Sequence, residues 1–286
     1  MGNILRRGAA QQQQQTATNP IAEHSLGMSI VPSARSTIPN DPLVDFVHDT
    51  DVSTLDSSGI QMLMAVMVTS GNISALTALE QKGLDFSEQT PSGWCALFSA
   101  ALAGQLEVMK WMDSELQVDM LQQDPNGRAA AHFAASRGHT HVLEWLLLKG
   151  ADIESKDKRG WTLAFWAAAK GQTETLKFLV AHGANACATS AFDGNSPIHF
   201  AAEYGHNHVL QWLLAHGADV NAKNSELWTP AHFAASTNQL SSLKWLHTHG
   251  ADLTQREARG RSIAYVPNLL GHKETVEWLS SLGIQT

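Results

Sequence analysis

The chain repeats itself about every 33 residues, and this recurrence restricts the possible folds more than any other feature. Gly71, Gly104, Gly138, Gly171, Gly205, Asn238 and Gly271 fall at steps of 33, 34, 33, 34, 33 and 33. Twelve residues after five of these positions comes Gly-Ala-Asp or a near copy: Gly83-Leu84-Asp85, Gly150-Ala151-Asp152, Gly183-Ala184-Asn185, Gly217-Ala218-Asp219 and Gly250-Ala251-Asp252. Self-similarity at this period marks a solenoid, in which each unit buries its apolar face only against its neighbours. Such an array presents a long surface, and function is to be sought there.

A chain of 286 residues suggests about two globular domains on length alone, but a repeat array grows linearly and needs no division. Hydrophobic residues make up 43% and charged residues 16%, enough for a continuous core. The formal charge of −8 argues against a general nucleic-acid binder, whose affinity comes from neutralised phosphates. Cys95 and Cys187 are the only cysteines, too few for a disulfide framework, which points to a reducing compartment. No run reaches the length of a membrane span, and no signal-peptide core follows the amino terminus. The expected setting is the cytoplasm.

The first forty residues differ in kind. Gln11–Gln15 form a homopolymer run, and Val31 to Pro42 is rich in Pro, Ser and Thr. So few large apolar residues leave little burial to offset the entropy of ordering, and residues 1–40 are expected to be disordered. Met1-Gly2-Asn3-Ile4-Leu5-Arg6-Arg7 partly matches an N-myristoylation signal at Gly2, departing where Arg6 replaces Ser or Thr. Arg6 and Arg7 would help a single acyl chain hold an anionic membrane.

Each unit reads as helix, turn, helix and extended loop. In the segment Asn126–Asp152, Ala130–Arg137 suits a short, closely packed helix, and Gly138 can take the left-handed conformation that ends it. Val142, Leu143, Leu146 and Leu147 then fall on one face of a second helix. Gly194 to Asp219 repeats this plan almost word for word.

Thr229-Pro230-Ala231-His232-Phe233-Ala234-Ala235 and Ser196-Pro197-Ile198-His199-Phe200-Ala201-Ala202 resemble the ankyrin repeat, whose signature is Thr-Pro-Leu-His-x-Ala. The segments beginning at Ala130, Thr162 and Ser262 are looser copies. The resemblance covers seven units from about residue 50 to 286 and implies an all-α solenoid of stacked helix-turn-helix units with extended loops. The expected organisation is a disordered segment over 1–40 and one repeat domain over 41–286, with capping units near 50–86 and 258–286. Met64 replaces the signature His in the first unit. Leu227 stands where a turn glycine is usual, so that hairpin is expected to be distorted. The junction Glu115–Pro125 lacks Gly-Ala-Asp and carries one extra residue.

The resemblance assigns His132, His199 and His232 to structural hydrogen bonds with adjacent loops. His139/His141 and His206/His208 are two residues apart, a spacing that points side chains away from each other on a helix, so zinc binding is not expected. His182, His216 and His249 sit in last turns, where a partly charged imidazole suits the helix dipole. No catalytic constellation and no phosphate loop of the form Gly-x-x-x-x-Gly-Lys-Ser/Thr occurs, and neither a cofactor nor a metal is expected.

Trp111, Trp145, Trp212, Trp245 and Trp278, with Phe178, each lie seven residues after the helix-ending slot and are read as core packing along the second helices. Trp94, Trp161 and Trp228 each follow the turn-glycine slot, with Arg128, Asn195 and Arg261 at that address in the other units. The resemblance places this address at the loop tip facing the concave surface. Two readings stand: exposed anchors of a binding hot spot, or rings packed on a neighbouring loop.

The ankyrin pattern takes its contacts from loop positions around the turn glycine and from the pair before the helix-ending glycine. Carried over, the partner-binding residues are Trp94, Arg128, Arg137, Lys158, Arg159, Trp161, Lys170, Phe192, Asn195, Tyr204, Glu226, Trp228, Arg259 and Arg261. Seven are basic and one acidic in a net-acidic chain, which suggests a positive groove holding an acidic segment of a protein partner. The expected function is non-enzymatic: a protein-protein interaction module. The alternative is a regulatory or effector protein tethered through an acylated Gly2 and acting on a membrane-bound partner. Nucleic acid is a less favoured ligand.

Overall fold

The five inner units each begin with a helix short and small enough to be buried nearly all round. The computed structural model describes residues 42–90 and 93–285; the expectations for residues 1–40, including Gly2, lie outside these. Among the described residues there are fifteen α-helices and no named strand. An entry helix α1 (Pro42–Asp49) is followed by seven helix pairs. These are α2 (Ser57–Ser70) with α3 (Ile73–Gln81), α4 (Ala96–Ala103) with α5 (Leu106–Ser114), and α6 (Ala130–Arg137) with α7 (Thr140–Leu148). Then follow α8 (Leu163–Ala169) with α9 (Thr173–Ala181), α10 (Pro197–Glu203) with α11 (Asn207–Ala215), α12 (Pro230–Ser236) with α13 (Leu240–Thr248), and α14 (Tyr265–Leu270) with α15 (Lys273–Ser281).

The first helices stack on one another along the array, α4 on α6, α6 on α8, α8 on α10 and α10 on α12. Their alanines permit this close approach: Ala130, Ala131, Ala134 and Ala135 of α6 are all buried. The second helices bury one face only, as with Val142, Leu143 and Leu146 of α7. One continuous hydrophobic cluster results, running from Val47 to Leu279. Nearest-neighbour burial is what holds a solenoid together.

The helix ends are tied across units by side chains. The last carbonyls of a helix have no intrahelical partner, and here the following unit supplies one. Gln105 Nε2 donates to Thr69 O at 2.6 Å, His139 Nε2 to Leu102 O at 3.0 Å and His206 Nε2 to Ala169 O at 3.2 Å. His141 and His208 reach the carbonyls of Gly104 and Gly171 at 3.0 and 2.9 Å. The His-x-His side chains therefore do not diverge. Each pair brings its ring centroids within 5.9 or 6.0 Å, because His139 and His206 are N-caps outside the helical register. Both rings of a pair serve the same preceding helix end.

His132 and His199 behave as the resemblance implies. The Nδ1 of His199 accepts from Ser196 N at 3.1 Å, and its Nε2 donates to Ala222 O at 3.0 Å. His132 makes the matching pair with Ala129 N and Ser155 O. These two imidazoles thus close the start of their own helices and clasp a loop of the same or next unit, whereas His232 accepts from Thr229 N at 3.3 Å but keeps its Nε2 buried without a hydrogen-bond partner.

The Leu227 hairpin is not distorted. Leu227 adopts φ 60° and keeps the turn bond to Asn224 O at 2.9 Å, as Gly160 does to Asp157 O at 2.8 Å. The geometry is conserved at the cost of a left-handed leucine, a conformation disfavoured by roughly 1–2 kcal/mol. Leu227→Gly is therefore expected to stabilise the protein by about 0.5–1 kcal/mol after the entropy cost of glycine. Urea unfolding of the variant checks this, and a lower midpoint would refute it. Gln117, φ 53°, similarly fills the helix-ending glycine position at the irregular Glu115–Pro125 junction.

Helix α1 was not anticipated from the sequence pattern, which starts the array near residue 50. It packs on α3, and Lys82 Nζ donates to the carbonyls of Val47, His48 and Thr50 at 2.6, 2.9 and 2.7 Å. A lysine across the carbonyl end of a helix satisfies orphan acceptors and complements the dipole. No helix among the described residues is long and apolar enough to cross a membrane.

Candidate functional site

One buried polar side chain organises each of four loop tips. Asp124 accepts from Asn126 N and Arg128 N at 2.8 Å each, and Asp157 from Arg159 N and Trp161 N at 2.9 and 3.0 Å. Asn224 accepts from Glu226 N and Trp228 N, and Glu257 from Arg259 N and Arg261 N. These local side-chain-to-backbone bonds shape the turns together with backbone pairs such as Asp157 N to Trp161 O at 3.0 Å. Sequence reasoning missed them, although their fixed spacing before the Trp/Arg address was a signal.

The tips are also joined to each other. Lys158 N donates to Asn126 O at 2.8 Å, Ser225 N to Asp193 O at 3.0 Å and Ala258 N to Glu226 O at 2.9 Å. Ser190 Oγ donates to Arg159 O at 2.8 Å. The loop residues singled out from the sequence therefore lie along one zipped row.

Their side chains have two fates. Trp161 and Trp228 are only 8% and 6% exposed, and Asn195 is fully buried. Of the two readings for this address, the structure has the packed one: the rings wedge between neighbouring units. Trp161 sits 4.2 Å from Phe200 and 5.8 Å from Trp166 by ring centroid, and Trp228 5.6 Å from Phe233. The indole N–H groups of Trp161 and Trp228 are buried without a hydrogen-bond partner, so packing alone holds these rings. Trp94, half-buried, donates to Ser99 Oγ at 2.8 Å and meets Phe133 edge-on at 5.1 Å. Asn195 binds Asp193 Oδ2 and accepts from Asn224 Nδ2, which makes it a loop brace.

Two of the seven cations are neutralised internally. Arg128 pairs with Asp124 at 2.6 Å and lies 4.9 Å over Phe133 and 5.8 Å over Trp166. Arg261 pairs with Glu257 at 2.9 Å and covers Tyr265 at 4.4 Å. Arg137, Lys158, Arg159, Lys170 and Arg259 present exposed side chains, with the Arg159 guanidinium 5.4 Å from the Trp161 ring. Glu226 is exposed at its tip. Phe192, at 79% exposure, projects from its loop.

Arg137, Lys170 and Tyr204 occupy equivalent positions at the ends of α6, α8 and α10. Partial burial lowers the Lys170 pKa from the usual lysine value, and the Arg137 charge lowers it further. Beside them, Trp161, Phe165, Ala169 and Phe200 form a separate apolar cluster flanked by Trp166 and Tyr204. Sequence reasoning missed Trp166, whose indole donates to Asp157 Oδ2 at 3.3 Å.

Among the described residues, no group of three His, Cys, Asp or Glu side chains is placed to hold a metal ion. Cys95 is buried, and burial pushes its thiol pKa up. The signature histidines face backbone rather than solvent. What the row offers is shape, aromatic surface and cations, the means of recognition.

Fold and surface together define a helical repeat array of the protein-interaction class. The family model described as ankyrin repeats, three copies, matches residues 62–157, 114–190, 131–224 and 171–257 in overlapping placements. The chain belongs to the ankyrin-repeat family, whose members are typically non-enzymatic protein-interaction modules. Comparison with curated proteins finds no match.

Proposed function

We propose that this module holds an acidic segment of a partner protein across the ends of its first helices and the adjoining loop-tip row, centred on Arg137 and Lys170. The observation that carries the reading is that these two exposed cations stand at the ends of α6 and α8, neighbouring first helices that stack directly on each other. Partial burial, and after it the Arg137 charge, lowers the Lys170 pKa, and neither side chain has an ion pair among the described residues. Two like charges held together at a partly desolvated position favour an anion between them. The neighbouring Trp166 and Tyr204 add apolar contact, and Lys158, Arg159 and Arg259 extend the positive row. Phe192 and Trp94 offer aromatic edges further along. The two unpaired cysteines fit a reducing, cytoplasmic setting.

A fluorescein-labelled glutamate-rich peptide, followed by anisotropy, tests the proposal. The double variant Arg137→Glu/Lys170→Glu is expected to bind it at least ~10-fold more weakly, about 1.4 kcal/mol, with a shallower salt dependence. Lys177→Glu/Lys244→Glu, on the second helices, is the charge-matched control and should keep most of the affinity. Equal losses in the two variants would reduce the effect to net charge and overturn the site. Preference for a single-stranded oligonucleotide of equal charge would replace the protein partner by nucleic acid.

A further inference from the structure

The first end of the array carries an apolar groove that no described residue covers. α1, the turn after it and α2 enclose an open groove of about 420 Å³, lined by Leu43, Phe46, Leu55, Met62, Leu63 and Val66 among others. Phe46 is 54% exposed, Met62 57% and Val66 43%. These three, of the ten exposed large apolar residues among the described ones, are gathered on adjacent elements. A contiguous apolar patch of this kind marks a contact surface, and methionine walls adapt to the shape of an occupant.

We propose that residues Leu26–Val31 of the same chain dock in this groove and close the first end of the array. The chain preceding the described residues ends at Pro42, the first residue of α1, whose Leu43 and Phe46 form one wall of the groove. Residues 32–41 separate Val31 from that wall and span at most about 36 Å when extended. Every part of the groove is thus within reach, and the tether gives the segment a high effective concentration. Residues 1–41 hold one stretch suited to the groove: Leu26-Gly27-Met28-Ser29-Ile30-Val31, within a window free of charged residues from Ser25 to Ala34. Arg35 follows it directly, while Asp45, Asp49, Asp51 and Asp56 lie exposed on the elements that build the groove. The nearby base Lys82 is committed to the α1 carbonyls. An uncharged apolar segment trailed by a cation therefore complements an apolar groove with an acidic surround.

Hydrogen–deuterium exchange on the full chain tests this. In the unmodified protein, amides 26–31 should exchange at least ~10-fold more slowly than an unstructured peptide of the same sequence. The groove variant Met62→Glu, at an exposed position, should release that protection. Leu26→Ser/Ile30→Ser, which leaves the array untouched, should speed exchange in α1 and α2 by a similar factor. If Met62→Glu perturbs folding by circular dichroism, the segment variant decides alone. Peptide-like exchange at 26–31 with α1 and α2 unchanged in the segment variant would overturn the proposal. Protection of α1 and α2 that rises with protein concentration, together with a dimer in sedimentation, would assign the groove to a second copy instead.

Discussion

Lowering the pH from 7.5 to 4.5 is expected to remove roughly 2–3 kcal/mol of stability for each of His199 and His232. Burial drives both imidazoles to a pKa of about 4, from an ordinary value of 6.5. The folded protein keeps them neutral while the unfolded chain protonates them near pH 6.5. Their contribution is therefore complete above pH 6.5 and is lost as pH falls toward 4. His132, His139 and His206, each lowered by burial, act in the same direction. The combined loss is comparable with the whole stability of an ordinary domain, so the array should unfold in this window. Urea midpoints at pH 7.5 and 4.5 measure it, and a flat profile would refute the account. His199→Gln should start from a lower stability at pH 7.5 and lose less on acidification, since one titrating clasp is gone.

Gly93→Ala is expected to cost about 3 kcal/mol or more, from a left-handed backbone combined with a clash. Gly93 has φ +76°, and an added Cβ would lie 1.8 Å from Pro125 Cδ in the next unit's loop tip. Gly150 provides the comparison: φ +92°, with nothing within 4 Å of the added carbon. Gly150→Ala should cost only the conformational share, roughly 1–2 kcal/mol. The difference in urea stability between the two variants isolates the price of tip-to-tip contact. Equal losses would mean that the Pro125 ring moves aside freely, and that the loop row is less tightly joined than its hydrogen bonds indicate.

The turn glycines carry a lesson about what can be read in advance. Their recurrence was legible, and so was the need for a positive φ, because both are local properties of the backbone. That Gly93 meets Pro125 and Gly127 meets Lys158 was not legible, since those contacts join residues a full unit apart. The candidate site divides the same way. Arg137, Lys158 and Lys170 stand exposed, while Arg128 and Arg261 share their address rules and yet spend their charge on Asp124 and Glu257.

By itself the sequence determined the period, the seven paired helices, the clasping role of His132 and His199, and the address of each loop residue. Hydrophobic spacing and left-handed glycines act within one unit, and repetition multiplies that local signal. The tertiary structure decided exposure. Trp161, Trp228 and Asn195 are buried because the next unit's loop or helix closes over them, and Leu227 keeps its turn because both neighbouring tips hold it. The entry helix α1 and its groove also belong to the tertiary structure. They lie outside the repeat, where periodicity is silent, and they depend on Lys82 reaching back across more than thirty residues to hold the helix end in place.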